Sequence, residues 1–201
     1  SRNNNGDGGM ASRVRGFFAN GQSPIAGRIE FITFASRGDA TVFGTMTSSI
    51  TNGAASASDQ TRGLIFGGYA APATLNVIQY ITMASSGNGV DFGDLLTAGA
   101  SSAFSSPSRA IAVNNSTNIM SFVTISTLGN SADFGDSTFA GGHRAWGSNA
   151  IRGVAFGGEL QPSGAKTNII EFATIASLGN AQDFGDTIQS TIAEGSTMTS
   201  G

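Results

Sequence analysis

The sequence predicts an all-β repeat protein, and three recurrences carry that prediction. One is a Phe-Gly string: "TVFGTMT" (41–47), "VDFGDLL" (90–96), "ADFGDST" (132–138) and "QDFGDTI" (182–188). The second is an apolar segment, "GRIEFITFAS" (27–36), "NVIQYITMAS" (76–85), "NIMSFVTIST" (118–127) and "NIIEFATIAS" (168–177). The third opens each unit with an arginine, in "RGFFANG" (15–21), "RGLIFGG" (62–68), "RAIAVNN" (109–115) and "RGVAFGG" (152–158).

These segments read as strands because they are short, rich in Ile, Val, Phe and Thr, and bounded by Gly, Asn and Ser. In "IIEFATIAS" Ile170, Phe172 and Thr174 fall on one face, and Ile169, Glu171, Ala173 and Ile175 on the other. No stretch has amphipathic-helix spacing, and the Gly and β-branched content opposes helix throughout. The aromatic anchors Phe31, Tyr80, Phe122 and Phe172 lie 49, 42 and 50 residues apart. Each period holds four strands, which in the second repeat are near 54–58, 62–69, 76–85 and 90–96. That is the size of a β-propeller blade, whose two apolar faces must be covered by neighbouring blades. The expectation is one repeat domain over 1–201, with units at 1–47, 48–96, 97–138 and 139–188. Residues 189–201 then begin a further repeat or supply a closing or exchanged strand.

Composition narrows the function classes. Only 11% of the 201 residues are charged, against roughly 25% in ordinary soluble domains, so solubility falls to Ser, Thr, Asn and Gly. A net charge of −3 and a pI near 4.9 oppose a nucleic-acid partner, which needs clustered Lys and Arg. Cysteine is absent, which removes disulfides and thiolate metal sites. No apolar run nears the roughly 20 residues that cross a bilayer, so membrane insertion is not expected.

The Asp-Phe-Gly string invites comparison with the magnesium-binding triplet of protein kinases, where the carboxylate meets the metal. A catalytic ligand is needed once, however, and this string recurs. No kinase catalytic loop or Gly-rich loop with a strand lysine accompanies it, and Lys166 is the only lysine. The expected role is structural. Phe43, Phe92, Phe134 and Phe184 fill the space between blades, and the adjoining glycine lets the backbone approach a neighbour. Asp91, Asp94, Asp133, Asp136, Asp183 and Asp186 accept backbone N–H bonds or pair with the repeat arginines. Those arginines, Arg15, Arg62, Arg109 and Arg152, clamp carboxylates or carbonyls between neighbouring blades.

"RGLIFGGYAAPATLNVIQYITMAS", followed by "DFGDLLTAG", resembles a Kelch repeat: an apolar strand ending in Gly-Gly, a variable loop, then a strand bearing an aromatic. The first repeat has Asn20-Gly21 and the third Asn114-Asn115 where Gly-Gly stands elsewhere; Asn is the best non-Gly residue for a left-handed backbone. Phe stands where Kelch repeats usually carry Trp. "FVTISTLGNSADFGD" and "FATIASLGNAQDFGD" look like the Kelch-like arrays in tail and other virion proteins of marine, especially cyanobacterial, phages. That resemblance implies a Kelch-like propeller of about four four-stranded blades, or a segment of a larger one, located in the virion or outside cells. It would be attached to a tail or capsid, with other virion proteins or further copies of itself as partners.

Residues 1–14 and 187–201 occupy the same phase of the repeat, so that segment is present five times and the others four. The chain is expected to be a piece of a longer array, or to close a ring or reach into another subunit with one spare end.

No catalytic constellation stands out, and no enzyme activity, cofactor or metal is expected. His143, the only histidine, lacks a partner of its kind for zinc and is expected at the surface of "GGHRAWGS". Trp146 shares its phase with Phe104, Ala57 and Met10 and is expected to pack. Tyr69, after Gly-Gly, is best placed to stack on a sugar ring. These three are the weak ligand-binding candidates. Loops 21–27, 69–75 and 159–167 differ while the strands agree, a design suited to recognising a host-surface glycan. The alternative is a non-viral, lectin-like carbohydrate-binding propeller module.

Overall fold

A short polar side chain closes the first hairpin of every repeat and sets where each sheet begins. Ser12 Oγ accepts from the Arg15 N–H at 3.1 Å, and Ser106 Oγ from Arg109 at 3.2 Å. Asp59 Oδ1 accepts from Thr61 and Arg62 at 2.6 Å each, and Asn149 Oδ1 from Ile151 and Arg152 at 2.8 Å each. Each such turn fixes the chain reversal three residues ahead of or at the repeat arginine.

The computed structural model describes residues 9–19 and 27–191, and over these the chain is all-β, without helix. Sheet 1 contains β1 (Gly9–Ala11), β2 (Arg15–Ala19), β3 (Arg28–Thr33) and β4 (Thr41–Thr45). Sheet 2 contains β5 (Asn52–Ser58), β6 (Arg62–Ala70), the short β7 (Ala73–Thr74), β8 (Val77–Thr82) and β9 (Val90–Asp94). Sheet 3 contains β10 (Ser102–Ser105), β11 (Arg109–Val113), β12 (Ile119–Thr124) and β13 (Ala132–Asp136). Sheet 4 contains β14 (Gly141–Gly142), β15 (Ala145–Ser148), β16 (Arg152–Phe156), β17 (Glu159–Leu160), β18 (Ala165–Thr174) and β19 (Gln182–Thr191). All pairings are antiparallel, and the four main strands of each sheet lie side by side in chain order. Each sheet has a bulge where its third strand meets its fourth, at Ile29/Glu30, Ile78/Gln79, Met120/Ser121 and Ile170/Glu171.

Strand alternation divides every sheet into a face toward the next sheet, here the forward face, and a back face. Between sheets 1 and 2, Phe17, Ile29 and Phe43 meet Ile65, Ile81 and Met83. Between sheets 2 and 3, Leu64, Phe66, Ile78 and Phe92 meet Ala112, Val123 and Ile125. Between sheets 3 and 4, Ile111, Met120 and Phe134 meet Ala155, Ala173 and Ile175. The forward faces carry the large side chains, with an edge-to-face aromatic pair such as Tyr80–Phe92, 5.9 Å between centroids at 80°. Three interfaces thus hold the three apolar clusters; among the described residues none joins sheet 4 to sheet 1.

Size is matched where the strands come closest. A methyl group on Gly63 would lie 2.5 Å from the Met10 sulfur, and one on Gly153 only 2.3 Å from the Phe104 ring. Where β5 presents Ala57, the facing position on β11 is Ala110. In sheets 2, 3 and 4 the repeat arginine is followed by Gly or Ala because the preceding sheet's first strand fills that space.

The Phe-Gly string sits at the tightest approach of all. A Cβ on Gly44, Gly93 or Gly135 would collide with the backbone of Gly87, Gly129 or Gly179 in the next sheet; for Gly93 the contact is 2.4 Å to the Gly129 carbonyl oxygen. Gly185, at the same register in sheet 4, has no heavy atom within 4 Å of that point. Gly93 and Gly185 have nearly equal φ, 149° and 144°, so alanine strains the backbone alike at both. Gly185→Ala is expected to cost about 1–3 kcal/mol from backbone strain alone. Gly93→Ala should cost a further ~1–3 kcal/mol for forcing two sheets apart. Urea unfolding of dilute protein measures the difference, and equal losses would contradict a steric role for the contact.

Candidate functional site

In an antiparallel four-stranded sheet the first-to-second and third-to-fourth connections share one edge. The second-to-third connection and the crossover to the next sheet share the other. The sequence-predicted residues divide between these two edges.

The repeat residues build a seam at the first edge. Its repeating unit is a pair of main-chain segments. Gly129 N–H donates to the Phe92 carbonyl at 2.8 Å and Ser131 N–H to the Asp94 carbonyl at 2.8 Å, while Asp94 N–H donates to Asn130 Oδ1 at 3.0 Å. Between sheets 1 and 2 the partners are Gly87 and Phe43, Gly89 and Thr45, and Asn88. Between sheets 3 and 4 they are Gly179 and Phe134, Ala181 and Asp136, and Asn180. The sequence reading assigned these asparagines no role, although their fixed spacing before the Phe-Gly string was visible. It also missed a serine link along the first strands. Ser58, Ser105 and Ser148 each donate to a carbonyl of the preceding sheet, at Ala11, Ser58 and Ser105, over 3.1, 2.9 and 2.7 Å.

The arginines clamp carbonyls across the seam. Arg15 reaches Met83 O at 3.1 Å, Arg62 reaches Ile125 O at 2.7 Å, and Arg109 reaches Ile175 O at 3.1 Å and Ala176 O at 2.9 Å. Each guanidinium also lies over the third-strand aromatic of its own sheet: Phe31, Tyr80, Phe122 and, for Arg152, Phe172, at 4.6–5.0 Å. The stacked plane holds the fork aimed at the neighbour's main chain, which a lysine would not do.

Four expectations need correction. The motif carboxylates do not pair with the arginines: among the described residues Asp91, Asp94, Asp133, Asp136, Asp183 and Asp186 form no ion pair with them, and the guanidinium groups of Arg15, Arg62 and Arg109 are taken up by carbonyls. Of these carboxylates, Asp183 accepts a local N–H bond, from Gly185 at 3.3 Å. Phe184 is not in an inter-sheet core. It is 58% exposed, whereas Phe43, Phe92 and Phe134 are buried, because among the described residues no sheet covers the forward face of sheet 4. Trp146 does not take the place of Phe104. Gly147 pairs with Val154 as Phe104 pairs with Ile111, so Trp146 faces the opposite way. A one-residue shift turns a side chain to the other face; Trp146 is fully buried, stacked on Phe104 at 4.5 Å and 11°, and cannot serve as a ligand platform. Asn114 and Asn115 do not adopt the left-handed backbone of Gly67-Gly68 and Gly157-Gly158. Asn114 turns the chain through its side chain, accepting from Ser116 and Thr117 and donating to Ala98 and Gly99 carbonyls at 2.9 and 2.8 Å.

The second edge is a rim of dissimilar loops. In sheet 2 the β6–β7 hairpin presents Tyr69, 38% exposed, paired with Thr74. In sheet 3 the Asn114 turn presents Asn115 and Ser116. In sheet 4, β14, β17 and the start of β18 form an added flap, with Glu159 opposite Lys166 and exposed His143 at its base in a left-handed conformation, φ 53°. The loops adjoin: a Cβ on Gly99 would lie 3.1 Å from both Thr74 and Asn115, and one on Gly142 3.2 Å from the Asn115 carbonyl. Tyr69 and His143 thus lie on the same rim. The corresponding loop of sheet 1, including most of 21–27, and residues 1–8 and 192–201 of the spare ends lie outside the described residues.

Beneath the flap is an ion pair that the sequence reading passed over beside His143. Arg144 and Glu171 are each 1% exposed and bonded at 2.5 Å. Glu171 Oε2 also accepts from Thr138 N–H and Oγ1 at 2.7 Å, and Arg144 donates to Ser137 Oγ and the Phe139 and Gly141 carbonyls at 3.0–3.2 Å. Burial lowers the Arg144 pKa from its ordinary value, while Glu171 raises it through its charge and hydrogen bond. The pair ties the crossover from sheet 3 to the third strand of sheet 4 and sets the base of the flap.

No protein-family model matches the chain, and no curated protein does. Among solved structures, one titled "Structure of YjhT" has a TM-score of 0.77 at 10% identity, over 92% of this chain. The chain spans 65% of that structure's length. At that identity the likeness is one of fold: sheets of this kind following one another along a common path.

Arg144→Met leaves a carboxylate buried without its cation and is expected to destabilise the protein by about 3–5 kcal/mol. Adding Glu171→Gln, which still accepts from Thr138, should recover at least about half of that loss in urea unfolding.

Proposed function

We propose that the four sheets are Kelch-like propeller blades and that the chain is a virion structural component of a tailed phage, whose loop rim recognises a host surface, glycan foremost. The observation that carries this reading is the division of the two edges. The seam edge repeats the same residues from sheet to sheet, so its side chains are committed to holding blades together. The rim has a hairpin, an Asn-turn and a flap in corresponding places, all standing on a rigid base and presenting mainly polar groups, with Glu159, Lys166 and His143 confined to the flap. Such a surface suits a polar, neutral ligand with many hydroxyls, and Tyr69 offers a ring face for a sugar. The resemblance of "TLGNSADFGD" and "SLGNAQDFGD" to phage virion arrays supports the setting.

Two measurements test the reading. A glycan array should give a defined set of ligands, and Tyr69→Ala should weaken the strongest at least about tenfold, or ~1.4 kcal/mol, while unfolding is unchanged. Mass spectrometry of purified particles should find the chain; glycan binding without incorporation into particles would favour the lectin-like alternative, and no glycan binding would remove the recognition role.

A further inference from the structure

The two end faces of the array differ from every inner face in one respect: among the described residues no sheet seats against them. On the forward face of sheet 4, Val154, Phe156, Ile170 and Phe172 are only half-buried and Phe184 is exposed. Their counterparts in sheet 3, for example Ile111, Val113, Met120 and Phe134, are buried at 2% exposure or less. The face is nonetheless fully formed. Phe172 and Phe184 keep the edge-to-face geometry of the inner pairs, 6.0 Å at 82°, and Arg152 stacks over Phe172 at 4.6 Å. β19 meets β18 in the same bulged register as β13 meets β12.

The back face of sheet 1 is open in the complementary way. Phe18 is 42% and Phe34 56% exposed, whereas Ile65 and Met83, at the same positions of sheet 2, are buried. A Cβ on Gly38, in the turn between β3 and β4, would meet nothing within 4 Å, as for Gly129 and Gly179.

We infer that the forward face of sheet 4 docks on the back face of sheet 1 of a second copy of this chain, head to tail. Sheet 1 carries a counterpart for each main-chain and arginine contact of the sheet 4 seam. Gly38 N–H stands where Gly129 and Gly179 donate to the motif phenylalanine carbonyl, so it meets Phe184 O. Asp39 stands where Asn88, Asn130 and Asn180 accept, so its carboxylate receives Asp186 N–H. The carbonyls of Phe34 and Ala35 occupy the register of Ile175 and Ala176, which Arg109 clamps, and so receive Arg152. Glu30 occupies the register of Gln79 and Glu171, which accept from Thr47 and Thr138, and Ile188 supplies the matching N–H. Size agrees too. β15 presents Gly147 forward where other sheets present Met10 or Phe104, and sheet 1 fills that space itself, with the Phe34 ring packed over Gly16 at 3.1 Å from its Cβ position. One link is lost: Ala11 lacks the hydroxyl of Ser58, Ser105 and Ser148.

The contact is heterologous, so repeating it closes a ring or extends a filament. Sheet 4 against sheet 4 would set Arg152 beside Arg152 and offer no Gly-Asp turn to the motif.

The test is complementation between two variants, each with one spoiled face. Wild type should self-associate on light scattering after gel filtration, with a mass at least twice the 20.3 kDa chain. Phe184→Asp and Phe34→Asp should each be at least tenfold weaker in self-association, with unchanged circular dichroism and urea midpoint. Mixed, they should form a complex of two chains and nothing larger, since each retains the face the other lacks. Should either aspartate variant misfold, Arg152→Glu and Gly38→Val replace them. A wild type that stays monomeric at all attainable concentrations, self-association that survives in Phe34→Asp alone, or variants that do not pair would each overturn the inference.

Discussion

Neighbouring sheets are held by a backbone-to-backbone approach too close for any side chain. In sheets 1, 2 and 3 a glycine near the end of the last strand lies against a glycine in the next sheet's third-to-fourth turn, and amide and carbonyl groups on either side pair across the gap. Most else in the molecule accommodates that approach. The bulge beside each motif aims the last strand at the neighbour. At the first two strands the clusters match size, with Met10 over Gly63, Ala57 near Ala110 and Phe104 over Gly153, as two sheets pinned so near their edge require. The arginine clamp closes the same interface from the first hairpin and stacks on its own sheet's aromatic to stay extended. Because much of the joint is main chain, low charge content costs the array little: salt bridges are not its connectors.

The repeat, its period and the four-stranded unit were legible in the sequence, because a seam made the same way each time leaves the same residues at the same spacing. The role of the Phe-Gly glycine and the carbonyl clamp of the arginines were legible for the same reason. Trp146 was misplaced because phase was counted from one motif to the next. The crossover into sheet 4 holds the extra strand β14 and the Arg144 anchor, so the count slipped by one residue, enough to turn a strand residue from one face to the other. Phe184 was misjudged because a sequence motif does not report what lies against it, and among the described residues no sheet does. The Asn114 turn was misread through analogy with Gly-Gly: the same reversal was made by side-chain hydrogen bonds instead of by backbone conformation. Arg144–Glu171 left no trace because an isolated pair far apart in the chain has no period to reveal it.

The split between seam and rim gives the fold separate places for cohesion and for recognition. Sheet 4 shows how far the rim can change without cost to the seam. Its flap adds two strands and a buried ion pair above an interface with sheet 3 that keeps the same glycine, asparagine and arginine contacts as the two before it. The serine link along the first strands completes the inner border with neutral hydroxyls, in keeping with a chain that relies on uncharged polar groups elsewhere.

The amide-and-carbonyl character of the joint bears on how such chains can diverge. A groove that recognises peptide groups is nearly indifferent to the residues that carry them, provided no Cβ intrudes at a few places. Mutation can therefore erase most of the recognisable text while the sheets keep their angle and spacing. Kinship among proteins of this construction would then be better traced by the rhythm of permitted absences, where a side chain is missing, than by the identity of those present.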